Sequence, residues 1–185
     1  MNNYDIFKIL ELYVNTFPEE NEGLSLLRKQ LTLNEEISNR ANSFGHVTAS
    51  GLIVHDCKIA LVFHNTLQKY IQPGGHIEND TSIHHAALRE VKEETGMFVT
   101  LHPWHSIQQF IPIHIDIHKI PSNEKKQEQE HYHYDFVYVF TTKSDVSALQ
   151  EDEVLDLRWH SLNSNFNENL LDMAVQKILK FVTFM

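Results

Sequence analysis

The chain is short of cysteine and of positive charge, and it has no long apolar run. Cys57 is the single cysteine in 185 residues. No internal disulfide can form, so a disulfide framework is excluded and a reducing compartment is expected. Lys and Arg total 15 against 25 Asp and Glu, a net charge of −10. A surface of that sign argues against a nucleic-acid polymer as partner, because phosphate backbones need clustered cations. An anionic small molecule would have to be received by a metal or by a few local cations. The N-terminus, Met-Asn-Asn-Tyr-Asp, carries neither a basic region nor a long apolar stretch. Neither a signal peptide nor a membrane span is expected, and the predicted location is cytoplasmic. What is present is 42% hydrophobic residues, enough for a core of one domain, or of one domain with an extension.

The organising stretch runs from Gly74 to Met97. Ile83, Ala87 and Val91 recur at fourfold spacing and Ala86 widens the apolar stripe, which predicts a helix. Ser82 is placed to cap its first turn and Gly96 to follow its last. Glu90, Glu93 and Glu94 stand at i, i+3 and i+4, so three carboxylates share one helical face. Such a face is either solvated, with Lys92 as partial relief, or a divalent-cation site, since Mg²⁺ takes hard carboxylate oxygens together with water and substrate phosphates. Gly74 and Gly75, after Tyr70-Ile71-Gln72-Pro73, favour the second reading. Glycines at a strand end let the backbone come close to a ligand.

This stretch resembles the Nudix box, G-x5-E-x7-R-E-U-x-E-E-x-G-U with U a bulky aliphatic residue. Gly75, Arg89, Glu90, Val91, Glu93, Glu94, Gly96 and Met97 match in register. Thr81 stands where the family has a glutamate that positions the arginine. Thr81 cannot pair with Arg89 as an ion, so it is expected to be a handicap to turnover unless Glu78 or Asp80 takes over. The resemblance covers about residues 44–162. It implies an α/β (α+β) fold, the Nudix α/β/α sandwich with a mixed β-sheet. It implies hydrolysis of the pyrophosphate bond of a nucleoside diphosphate linked to another group, with Mg²⁺ or Mn²⁺ as cofactor. Glu90, Glu93 and Glu94 would hold the metal with the Gly75 carbonyl as a further ligand. Arg89 would orient the glutamates, and the general base is left open among Glu93, Glu94 and Glu153.

The rest of the chain frames this stretch. Residues 1–42 read as a helical extension before a domain at 43–185. Ile6, Ile9, Leu10, Tyr13, Val14 and Phe17 share one helical face, Pro18 interrupts, and Leu24, Leu27 and Leu31 begin again. The extension is a bracket packed on the domain, a dimerisation arm or a substrate lid; a homodimer is compatible with it. Residues 46–55 and 58–64 flank Asp56-Cys57 as a tight hairpin. Residues 98–101 read as a short strand, and 107–120 and 131–142 as two long ones joined by a polar surface loop. Alternation puts His114, Asp116 and His118 on one face of the first long strand, and His131, His133 and Asp135 on one face of the second. Antiparallel pairing would unite the two rows. Such rows can contact substrate, bind a transition metal or form a structural network; substrate contact through His131, His133, Asp135, His114 and Asp116 gives the sharpest expectation, with both rows facing the same cleft as the glutamates and activity changing below about pH 6.5 as the imidazoles protonate. Residues 149–162 resemble a late Nudix strand preceded by an acidic loop, Glu151-Asp152-Glu153. An amphipathic helix closes the chain over 167–185.

Two other functions stay open on the sequence. A Nudix-fold nucleotide sensor with weak chemistry would explain Thr81. The isopentenyl-diphosphate isomerase branch shares the fold but needs a catalytic cysteine, and Cys57 at a hairpin tip is badly placed. Pro112, 15 residues after Met97, is near where some ADP-ribose pyrophosphatases carry a proline. The sequences that flank NADH and coenzyme A pyrophosphatase boxes are not evident.

Overall fold

The computed structural model describes residues 1–33, 35–65, 67–124, 127–145, 149, 154–164, 166 and 169–182. Its centre is a hairpin, β1 (Gly45–His55) and β2 (Lys58–His64). Asp56 and Cys57 form the turn with φ of 46° and 58°, the pair of left-handed residues that suits the twist of a two-residue hairpin loop. β1 is buried along nearly its whole length because it pairs on both sides. It runs parallel to β7 (His131–Thr142) from Gly45 opposite Tyr132 to Val54 opposite Thr141. On its other edge it meets β2 near the hairpin and β4 (Gly74–His76) near its start.

The remaining strands extend the sheet outward. β3 (Lys69–Ile71) and β8 (Val154–Ser161) pair with β2; β5 (Val99–Leu101) and β6 (His114–Ile120) pair with β7. Among the described residues this makes an eight-stranded mixed sheet.

α3 (Ile83–Thr95) packs on one face. Ser82 caps it by accepting from the His85 amide, and Gly96 follows with φ of 63°. Ile83, Ala86, Ala87 and Val91 are fully buried, and each large aliphatic so covered contributes about 1.5–3 kcal/mol. The fit against β1 is close: a Cβ on Gly51 would come to 2.4 Å from Val91 Cγ2 and 2.7 Å from Phe140. The opposite face is covered by α1 (Asn3–Thr16), capped by Asn2 and Asp5, and by α5 (Asn169–Phe181), which packs on β6. The result is the expected α/β/α sandwich.

The N-terminal helices pack onto the sheet. A 3₁₀ turn at Pro18–Glu20 and α2 (Ser25–Leu31) follow α1. Leu10, Tyr13, Phe17 and Leu27 join the same apolar cluster as Ile113 and Ile115 of the sheet.

One element differs from expectation. Residues 107–120 do not form one strand. Pro103–Ile107 is a short helix, α4, with Pro103 in its first turn and the His102 side chain accepting from the Trp104 amide. Gln109 and Phe110 then take φ of 56° and 61°, which no strand tolerates. Only from His114 does the alternation act as a strand. His105 fixes the bend: its Nδ1 lies 2.7 Å from the Ile111 carbonyl, and its Nε2 accepts from the Val139 amide at 2.8 Å.

Candidate functional site

Alternation along β4 divides the chemistry between the two sheet faces. Gly75 lies toward α3, where an added Cβ would stand 2.6 Å from the Glu90 carboxyl carbon. A glycine is therefore required for the carboxylate to lie against the strand backbone. Glu90 is nearly covered, its side chain 14% exposed. Burial pushes its carboxyl above the usual carboxylate range, and Arg89 only partly opposes this. Glu94 is buried, whereas the Glu93 side chain is half exposed.

Arg89 ties this face together. Its guanidinium donates to Asp80 (2.9 Å), to Glu90 (2.8 Å), to Glu93 (3.0 Å) and to the His76 carbonyl (2.9 Å). The bond to Asp80 leads in holding the Arg89 pKa above its usual value. Burial works against ionisation at Asp80, but Arg89 and the Glu78 amide together hold its carboxyl below the usual range. Asp80 thus occupies the role that Thr81 leaves open. Thr81 turns instead to His85, 2.8 Å from its Nδ1. Of the two outcomes expected at Thr81, the structure shows the one in which Asp80 takes over: the carboxylate is supplied one residue earlier on the same loop.

The donor set fits a hard divalent cation. Glu90 lies against the Gly75 backbone where no Cβ intervenes, Glu93 and Glu94 follow it on the same helix, and oxygen ligands are what Mg²⁺ and Mn²⁺ select.

The histidine and aspartate rows lie on the other face. Thr48 and Ser50 of β1 both donate to Asp135, at 3.1 and 2.6 Å, and Gln72 donates at 3.3 Å. Burial pushes the Asp135 carboxyl up. Across the strand pair Asp116 stands opposite Asp135 and His118 opposite His133, so the two rows do share a face, as antiparallel pairing predicts. His118 Nδ1 is 2.6 Å from Asp116, and His131 Nε2 is 3.2 Å from His133 Nε2. That face is the one away from α3, because Thr48 and Ser50 alternate with Ala49 and Gly51. Contrary to expectation, the rows and Glu90, Glu93 and Glu94 lie on opposite faces of the sheet, with β4 at the boundary. Nor does His133 titrate near pH 6.5: burial, reinforced by the neighbouring imidazoles, holds it down at about 2.

His114 keeps the parity of the row but joins a different group. It is buried under α1 and α5, with its Nδ1 3.4 Å from Glu20, 3.3 Å from Lys177 Nζ and 3.5 Å from the Tyr13 hydroxyl. Lys177 and Tyr13 both donate to Glu20. Burial opposes ionisation of Glu20, yet bonds from His114, Lys177 and Tyr13 bring its carboxyl down to about 2. Glu151, Asp152 and Glu153 lie outside the described residues.

Two residues that the sequence did not single out enter this polar face. His46 and His76 pack against His133, with ring centroids 4.9 and 5.4 Å away. His76 sits inside the box, directly after Gly75. The pairing of β1 with β7 that brings His46 beside His133 has no local sequence signal.

Comparison with known proteins agrees with this geometry. The NUDIX domain model matches residues 45–182. The chain belongs to the Nudix family. Its activity class is that of a Nudix pyrophosphohydrolase. Among solved structures, a NUDIX-family hydrolase from Clostridium perfringens is 30% identical, covers 73% of this chain and 97% of its own, and superposes with a TM-score of 0.54. A UDP-X diphosphatase is 18% identical over 97% of both chains, with a TM-score of 0.52, a likeness of fold alone. A probable DHNTP pyrophosphohydrolase of Lactococcus lactis subsp. cremoris (strain MG1363) is 27% identical over 69% of this chain and 72% of its own. Nudix hydrolases in general depend on a divalent metal. Among the described residues no helix is long and apolar enough to cross a membrane.

Proposed function

We propose that this Nudix protein is a metal-dependent hydrolase of the pyrophosphate bond in a small nucleoside diphosphate derivative, and that the α3 face is its active site. The observation that carries the reading is the cradle at Gly75, where the strand backbone lies open against the Glu90 carboxylate. Glu90, Glu93 and Glu94 would hold Mg²⁺ or Mn²⁺ with the Gly75 carbonyl beside them. The bound cation would neutralise phosphate oxygens and acidify a coordinated water. Arg89 keeps Glu90 and Glu93 in register through the bonds given above, and its hold on the His76 carbonyl fixes β4 against α3. Glu93, half exposed, and Glu94 are the candidates among the described residues to take the proton from the attacking water. A chain of net charge −10 has few cations to offer an anionic substrate, which gives the metal that task as well.

The pyrophosphohydrolase name of the Lactococcus lactis relative suits cleavage of a pyrophosphate bond. The sensor reading rested on Thr81, and Asp80 removes its ground. The isomerase reading needs a thiol at the site, and Cys57 is exposed at the β1–β2 turn.

A panel of nucleoside diphosphate derivatives, supplied with Mg²⁺ or Mn²⁺ and scored by released phosphomonoester, tests the proposal. Hydrolysis is expected only with metal, and it is expected to vanish in Glu94→Gln while the far-ultraviolet circular dichroism stays unchanged. Full activity in excess chelator, or in that variant, overturns it.

A further inference from the structure

We propose that His46, His76 and His133 form a second, separate metal site that takes Zn²⁺ on the sheet face away from α3. One ligand nitrogen from each lies within 4.8 Å of the others. In tetrahedral coordination at the usual Zn–N length, neighbouring nitrogens stand about 3.3 Å apart. Closing the cluster therefore takes inward shifts of about 1 Å per side chain, within the reach of small χ adjustments.

His46 gives the second observation. It is only 4% exposed, and its Nε2 is buried without a hydrogen-bond partner. Its Nδ1 lies 3.4 Å from the Asn42 carbonyl. An imidazole that donates through one nitrogen to a carbonyl and leaves the other as a lone pair is arranged as metal-bound histidines are. An unanswered buried lone pair is costly, and a cation would satisfy it. His131 lies beside the cluster, its Nδ1 2.7 Å from the Gln129 carbonyl and its Nε2 3.2 Å from His133 Nε2.

Imidazole nitrogen selects a borderline-soft ion over Mg²⁺, for which the proposed oxygen ligands are across β4. The two sites meet at residue 76: the ring joins the cluster while the carbonyl accepts from Arg89. A metal here is a structural clamp. It would tie β4 to β1 and β7 and so steady the backbone that Gly75 presents to Glu90.

The test uses untagged, metal-stripped protein titrated with Zn²⁺ in excess Mg²⁺. One tight equivalent is expected, together with a rise in Tm. His76→Asn and His133→Asn, each checked for folding by circular dichroism, are expected to weaken binding by at least about a hundredfold. A Glu90→Gln/Glu94→Gln double variant is expected to keep it. Co²⁺-loaded wild type gives an independent readout, the visible absorption of a nitrogen-ligated ion of low coordination number. Absence of a tight equivalent, its loss only in the glutamate variant, its survival at full affinity in both histidine variants, or the absence of that absorption overturns the proposal.

Discussion

At Gly75 the atom that is missing matters most. Alanine there would put a methyl carbon 2.6 Å from the Glu90 carboxyl carbon. The carboxylate must move, and a displacement of about 1 Å at a catalytic group costs on the order of a hundredfold in rate. Gly75→Ala is expected to lower kcat by that order while Tm changes little; steady-state kinetics beside a thermal melt checks it. Asp80 and Thr81 make a paired test. Asp80→Asn removes the charged partner of Arg89, a hydrogen bond of about 1.5–3 kcal/mol. If expressed fully in the transition state, that is roughly a tenfold to hundredfold fall in kcat. Thr81→Glu is expected to leave kcat and Tm unchanged, because Arg89 is already engaged by Asp80. A gain in turnover from Thr81→Glu would show that Asp80 fills the role poorly.

Among the elements, α3 and β1 depend on each other. The helix carries the carboxylates, and β1 supplies the surface that fixes its height above the sheet. Gly51→Ala would wedge a methyl against Val91 and Phe140 at 2.4 to 2.7 Å. Overpacking of this kind costs about 1–3 kcal/mol, and the shift in the urea midpoint measures it. Because the same contact holds Glu90 and Glu94 in place, kcat is expected to fall as well. The segment before β6 shows how an element misleads. Ile111, Ile113, Ile115 and Ile117 alternate like one strand continued from Ile107, yet Gln109 and Phe110 turn the chain. The buried His105 ring, accepting from the Val139 amide across the fold, secures that turn.

For the whole molecule, the buried Glu20, Lys177, Tyr13 and His114 group joins the N-terminal bracket, α5 and β6. The Glu20 carboxyl is held at about 2, below its unfolded value of about 4.3. A depressed carboxyl stabilises fully above the unfolded value, and that contribution is lost as pH falls toward the folded one. Stability to urea is therefore expected to drop between about pH 4.3 and pH 2. Glu20→Gln is expected to flatten that drop and to cost roughly 3–5 kcal/mol at pH 7, since it leaves Lys177 buried without its counter-charge. Chemical denaturation of both proteins across this pH range decides the matter.

Whatever depends on spacing within one element was legible along the chain. Glu90, Glu93 and Glu94 share a helical face because three and four residues make one turn. The Asp56-Cys57 hairpin, the cap at Ser82 and the alternation of β7 follow in the same way from neighbours along the chain. Which faces meet is a property of the packed fold. The parallel pairing of β1 with β7 set Thr48 and Ser50 on Asp135, and it brought His46 to His133 across 87 positions. It also turned the histidine row away from α3, and the packing of α1 and α5 drew His114 into a buried ion group. Asp80 rather than Glu78 met Arg89 through the path of an irregular loop. Such pairings depend on long-range register and on desolvation, and neither has a period that a sequence can display.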